Sequence, residues 1–216
     1  RLVLTNIRNN LDMALKAADD LSIDILSSPQ IQSISRMEPG EPRFYYTLYQ
    51  AAQSLSNNRS SQFLFRYYYI YLGNSDRILI LGTAYSSRLY YDSYIAEGQL
   101  SYEEWAEILS KTHYGSYHPL PYFSSSAHAP LELALVRTIP PVSSHDKVAN
   151  IVIMMNFSDI RQYAKDDYNL VLLDQNNRVV AQSKPETPFD PTVLPDMPDE
   201  YGIVSCDSSE GEEIIS

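Results

Sequence analysis

Residues 62–92, QFLFRYYYIYLGNSDRILILGTAYSSRLYYD, decide the fold. Strand side chains alternate between two faces. In the first half of this stretch Phe63, Phe65, Tyr67, Tyr69 and Tyr71 share one face, and Leu64, Arg66, Tyr68, Ile70 and Leu72 share the other. Gly73-Asn74-Ser75-Asp76 carries turn chemistry. Ile78 to Leu81 then returns as a β-branched partner strand. Both faces are largely apolar, so this hairpin is expected to lie in a sheet covered on both sides. Two readings of the aromatic face stay open: a buried core, or the wall of a ligand cavity. Tyr and Arg side chains carry polar ends that suit the second.

Working outward, the chain of 216 residues has room for one large domain or two small ones. Hydrophobic residues make up 44%, enough for a core and too many for a disordered chain. Lys plus Arg is 16 against 27 for Asp plus Glu, a net charge of -11. A surface of that sign argues against broad nucleic-acid binding and against a polybasic membrane patch. Cys206 is the single cysteine, so no internal disulfide can form. No run reaches the roughly 18 apolar residues of a membrane span, and no stretch reads as a signal peptide. The chain starts on Arg1 and ends at Ile214-Ile215-Ser216, and we expect it to be a piece of something longer. Tyr occurs 18 times and Gly only 7. Few glycines leave little room for phosphate-cradling loops.

Residues 1–35 read as one long helix, with Leu4, Ile7, Leu11, Leu15, Ala18, Leu21 and Ile25 at spacings of three and four and a kink or break expected at Pro29. Residues 37–43 read as a loop, 44–55 as a short helix and 56–61 as a polar loop. The hairpin is followed by a long connection, 83–130, that carries a helix over 101–112. Ser101 and Glu104 form a capping box there, and 113–130 are expected to be irregular. Strands follow at 131–139 and 148–155, then a short helix over 156–167. A second strand–turn–strand begins at Tyr168 and returns over Arg178 to Gln182. Five prolines between 183 and 200 mark a loop, and the last 16 residues complete no recognisable unit.

The sequence contains no G-x-S-x-G, H-E-x-x-H, P-loop or G-x-G-x-x-G motif. His113, His118 and His128 match no common metal spacing. We therefore expect a non-catalytic domain with no metal and no cofactor. What remains is a binding pattern: Arg88, Tyr90, Tyr91 and Asp92 directly after the second strand, Trp105 at the next helix, and Tyr117 and Tyr122 late in the connection. Aromatic walls with one cation, one carboxylate and several hydroxyls suit a small sugar-like or amino-acid-like molecule. The competing reading has Arg88 and Asp92 paired with each other on the surface.

The stretches LTNIRNNLDMALKAADDLSIDIL, FLFRYYYIYLGNSDRILILG, YEEWAEIL, LALVRTIPP, VANIVIMMNFSDIRQY and LVLLDQNNRVVAQS, in this order, resemble the double-Cache extracytoplasmic sensor region of Gram-positive membrane-bound regulators with an AraC-type output, and of related histidine kinases. The resemblance implies an α+β, PAS-like fold: an antiparallel sheet with helices on one side, a long N-terminal helix (1–35), a membrane-distal module (36–158) and an incomplete membrane-proximal module (159–216). It implies a place on the extracellular face of a bacterial membrane, held by flanking spans, with signals passed to a cytoplasmic transcription-regulating output. The amino-acid-binding motif of some such sensors is missing here, so ligand identity does not carry over. A structural scaffold or protein-interaction module without a ligand is the alternative. The long helix is expected to leave an apolar stripe uncovered, available for pairing with a second copy in the whole receptor.

Overall fold

The computed structural model describes residues 2–56, 65–96, 100–119, 132–139, 148–156, 171–173, 179–182, 203–206 and 212–215. Helices α1 (Leu2–Leu26), α2 (Pro29–Ile34) and α3 (Phe44–Ser56) come first. Strands β1 (Phe65–Leu72), β2 (Arg77–Ile80) and β3 (Thr83–Ser86) follow, then helices α4 (Ser87–Tyr94) and α5 (Tyr102–Ser110). Strands β4 (Tyr114–Pro119), β5 (Glu132–Ile139) and β6 (Ala149–Asn156) complete one antiparallel sheet of six, in the order β3-β2-β1-β6-β5-β4. The architecture is α+β, a six-stranded antiparallel sheet flanked by helices.

The break expected at Pro29 is present. Pro29 stands at the start of α2, where its missing N–H costs nothing. The alternation of the 62–72 stretch sorts the core into two. Tyr68, Ile70 and Leu72 face α1, α2 and α3 together with Leu79, Leu135, Ile151 and Ile153. Tyr69 and Tyr71 face α4 and α5 with Ile78, Val136, Val152 and Met154. Helices therefore cover both faces, as the hairpin's two apolar sides require, rather than one. Tyr68 is buried on the α1 side, and its hydroxyl donates to the Leu55 carbonyl at 2.6 Å. Loss of solvent around it pushes its pKa up to about 12.

The turn at 73–76 is locked from both flanks. A Cβ on Gly73 would lie 2.4 Å from the Val148 carbonyl oxygen, and the Gly73 N–H donates to that same oxygen at 3.0 Å. Asn74 is buried, and its amide donates to the carbonyls of Ile34, at 3.0 Å, and Met37. It thereby supplies partners for acceptors at the end of α2 that the helix cannot satisfy itself.

Several expectations change. The return strand, expected to reach Leu81, ends at Ile80, because Leu81 and Gly82 form a turn at φ 22° and 87°. That turn creates β3, which the sequence reading had folded into the long connection. Helix α4 lies there too, and of the stretch 113–130 expected to be irregular, Tyr114–Pro119 is the edge strand β4. The expected helix over 156–167 lies outside the described residues, apart from Asn156 at the end of β6. Of the second strand–turn–strand, the two strands are described, β7 (Val171–Leu173) antiparallel to β8 (Val179–Gln182), and the residues between them lie outside the described ones. The terminal residues, expected to form no unit, contain a further antiparallel pair, β9 (Ile203–Cys206) and β10 (Glu212–Ile215).

Candidate functional site

The face of the sheet under α4 and α5 is an aromatic layer. Two caps build it. The Ser86 hydroxyl accepts from the Leu89 N–H at the start of α4. The predicted capping box starts α5: Glu104 N–H donates to Ser101 Oγ at 3.3 Å, and Ser101 N–H donates to Glu104 Oε2 at 2.8 Å. The contacts with Ser101 lower the Glu104 pKa. With both helices started, Tyr90 and Tyr91 of α4 and Trp105 of α5 turn inward. Tyr90 lies 4.9 Å from Tyr69, 5.0 Å from Tyr94 and 6.4 Å from Trp105, ring centre to ring centre. Tyr91 and Tyr102 approach Trp105 at 5.6 and 6.0 Å. Such offset and tilted pairs add to the burial term.

The polar tips of this layer are treated unequally. Tyr91 donates to the Leu100 carbonyl at 2.7 Å, and Tyr102 shares a hydrogen bond of 2.7 Å with Ser87. Trp105 is 0% exposed, and its Nε1–H has no hydrogen-bond acceptor among the described residues. An unsatisfied buried donor costs roughly 1–3 kcal/mol.

Of the seven residues read from the sequence as one site, the six described divide into three places. Tyr90, Tyr91 and Trp105 meet in the layer. Arg88 and Asp92 occupy the outer side of α4, 59% and 51% exposed, and pair with each other at 3.2 Å. The helical period puts positions 88 and 92 on one face and turns 90 and 91 to the other. Arg88 and Asp92 therefore stay outside the buried part of the layer, and Arg88 lies over the outer Tyr102 ring at 4.7 Å and 3.9 Å from Glu103. Tyr117 is on β4 opposite Leu135, on the α1 side of the sheet. Its pKa is raised by burial first and by the Asp19 carboxylate second. Tyr122 lies outside the described residues.

Sequence reasoning missed a polar cluster at the end of α5. Asn150, fully buried in β6, donates through Nδ2 to the carbonyls of Leu109 (2.7 Å) and Lys111 (2.8 Å). Its Oδ1 accepts from Thr138 Oγ1 at 2.6 Å, and Thr138 Oγ1 accepts from the His113 N–H at 2.6 Å. The signal was an asparagine inside the apolar run VANIVIMM, where only a satisfied amide is tolerated. His113 Nε2 donates to the Ile108 carbonyl at 2.8 Å. That leaves Nδ1 as the acceptor for Ser116 Oγ at 2.7 Å in the neutral ring, and His118 Nε2 donates to the same hydroxyl at 3.0 Å. Burial, with the neighbouring His113 second, pushes the His118 pKa down to about 4. Two imidazoles and a hydroxyl make a hydrogen-bonded chain. No group of three metal-ligating side chains occurs among the described residues.

On the other face of β5, Arg137 donates through Nη1 to Ser22 Oγ at 3.0 Å and through Nη2 to Asp19 on α1. None of the described helices is long and apolar enough to cross a membrane. In comparison with known proteins, no family model matches this chain and no curated protein sequence matches it.

Proposed function

We propose that the chain is an extracytoplasmic sensor domain. It binds a small polar organic compound in the aromatic layer and passes a displacement through α1 to a transcription-regulating output across a membrane. The observation that carries this reading is the buried Trp105 indole N–H without an acceptor among the described residues, set among tyrosines with hydroxyl tips. A ligand carbonyl, carboxylate or hydroxyl would supply that acceptor, and tyrosine rings would stack on its body. The α+β architecture, with a long N-terminal helix against the sheet, fits the double-Cache resemblance. A second reading, a scaffold or protein-interaction module without a ligand, is favoured by the ring contacts of 4.9 to 6.4 Å, in which the rings pack against one another.

The test is a thermal-shift screen of sugars, amino acids and carboxylic acids on the wild type, Trp105→Phe and Arg88→Ala. A compound held at 100 times its dissociation constant stabilises the fold by about 2.7 kcal/mol. The sensor reading expects at least one compound to shift the wild type, with the shift lost in Trp105→Phe and kept in Arg88→Ala, whose side chain points to solvent. If no compound acts, or the Phe variant responds like wild type, the scaffold reading takes its place.

A further inference from the structure

Residues 137 and 138 are neighbours on β5 and reach in opposite directions. The Thr138 hydroxyl joins Asn150, whose amide holds the last carbonyls of α5, Leu109 and Lys111, at 2.7 and 2.8 Å. The Thr138 backbone N–H also donates to the His113 carbonyl at 2.8 Å, just beyond α5. Arg137 holds α1 from the other side through Asp19 and Ser22, residues 118 and 115 positions away in sequence. Space for that guanidinium is made by Gly115. A Cβ there would lie 3.0 Å from Arg137 Nη2, Gly115 has φ +96°, and the β4–β5 register is irregular between Tyr114 and Ser116.

We infer that the Arg137–Thr138 pair is a mechanical link between α5, over the aromatic layer, and α1. Side chains of adjacent strand residues point to opposite faces, so a single peptide segment carries both attachments. A shift of the α5 end pulls on Thr138 through Asn150, and the same displacement of β5 loads the Arg137 contact with α1. Hydrogen bonds weaken steeply when their geometry is disturbed, so both attachments resist displacement. As a signalling route the link rests on the sensor reading; as a coupling between two helices it stands on these contacts alone and is tested without any ligand.

Amide hydrogen exchange of the full chain reads it, in wild type, Thr138→Val, Asp19→Asn and the double variant. The central β6 amide of Val152 reports global unfolding and must stay as protected as in wild type. Thr138→Val should speed exchange in the last turn of α5 and also in α1 around Ala18–Ile25, by about threefold or more, the range of mutational coupling between sites. In the Asp19→Asn background, which removes the ion pair and leaves the Ser22 contact, the α1 effect of Thr138→Val should be smaller than in wild type. Coupling is reciprocal, so Asp19→Asn alone should speed exchange at the α5 end. That arm decides the matter if Thr138→Val does not fold, since Asp19 is half exposed and tolerates an amide. The link is overturned if α5 loosens while α1 is unchanged, if the two effects on α1 simply multiply, or if Asp19→Asn leaves α5 as in wild type. A ligand-free screen result would leave the link standing, and a bound ligand with no cross-effect would remove the link alone.

Discussion

His118 shows how one ring is tuned by its setting. Its pKa falls from 6.5 to about 4 because burial, and then His113, disfavour the imidazolium. The unfolded chain then takes up a proton near pH 6.5 while the folded chain does not until about 4. The unfolded state binds more protons across that window, so stability rises with pH through it. The contribution is complete above pH 6.5 and is lost as the pH falls towards 4. We expect His118→Asn to flatten the urea-denaturation profile between these limits by about 1–2 kcal/mol, allowing for solvent screening of a partly exposed ring. An unchanged slope in the variant would show that His118 is not the group responsible. At the same scale, Trp105 and Asn150 are opposite cases of buried polar side chains. The amide of Asn150 has partners on both of its atoms, whereas the indole N–H of Trp105 has none among the described residues.

At the scale of elements, the aromatic layer depends on where α5 starts. The Ser101–Glu104 box satisfies two backbone donors that the helix leaves over, and it sets the rotation that sends Trp105 and Leu109 into the core. Ser101→Ala is expected to cost about 1 kcal/mol and to lower the melting temperature by about 2–4 °C. Calorimetry checks this, and a variant as stable as wild type would mean that the box is dispensable. The box and the hairpin of β1 and β2 are both legible in the sequence, since local spacing carries them. Strand β3 is not. Its existence depends on the Leu81–Gly82 turn, and leucine at φ 22° is no turn signal; Gly82 supplies the freedom and the exposed Leu81 side chain merely follows.

For the whole molecule, the outer side of α1 matters most. Among its described residues, Met13 and Ile23 are exposed between Asn9, Asp12, Lys16, Asp20 and Asp24. Among the described side chains of α1, Ala14, Ala18, Leu21 and Ile25 lie against the sheet, and the start of the helix, with Leu4 and Ile7 of the stripe expected to pair with a second copy, lies outside the described side chains. With a net charge of -11 adding repulsion, the isolated chain is expected to be monomeric. Multi-angle light scattering at low and high salt tests this, and a dimer at either salt would place an interface elsewhere on the surface.

The sequence by itself determined the two-sided burial of the central hairpin, the break at Pro29 and the start of α5. These follow from periods of two and 3.6 residues, from a proline ring and from a cap, all of which act within a few positions. Only the tertiary structure decided which side of the sheet each side chain joined. Arg88 and Asp92 left the rings for solvent because α4 exists and turns them outward, and Tyr117 went to the α1 side because β4 pairs with β5 in one register and not the next. A one-residue change of register exchanges the two faces. The attachment of Arg137 to Asp19 and Ser22 likewise joins residues more than a hundred positions apart, a distance over which no local spacing rule extends.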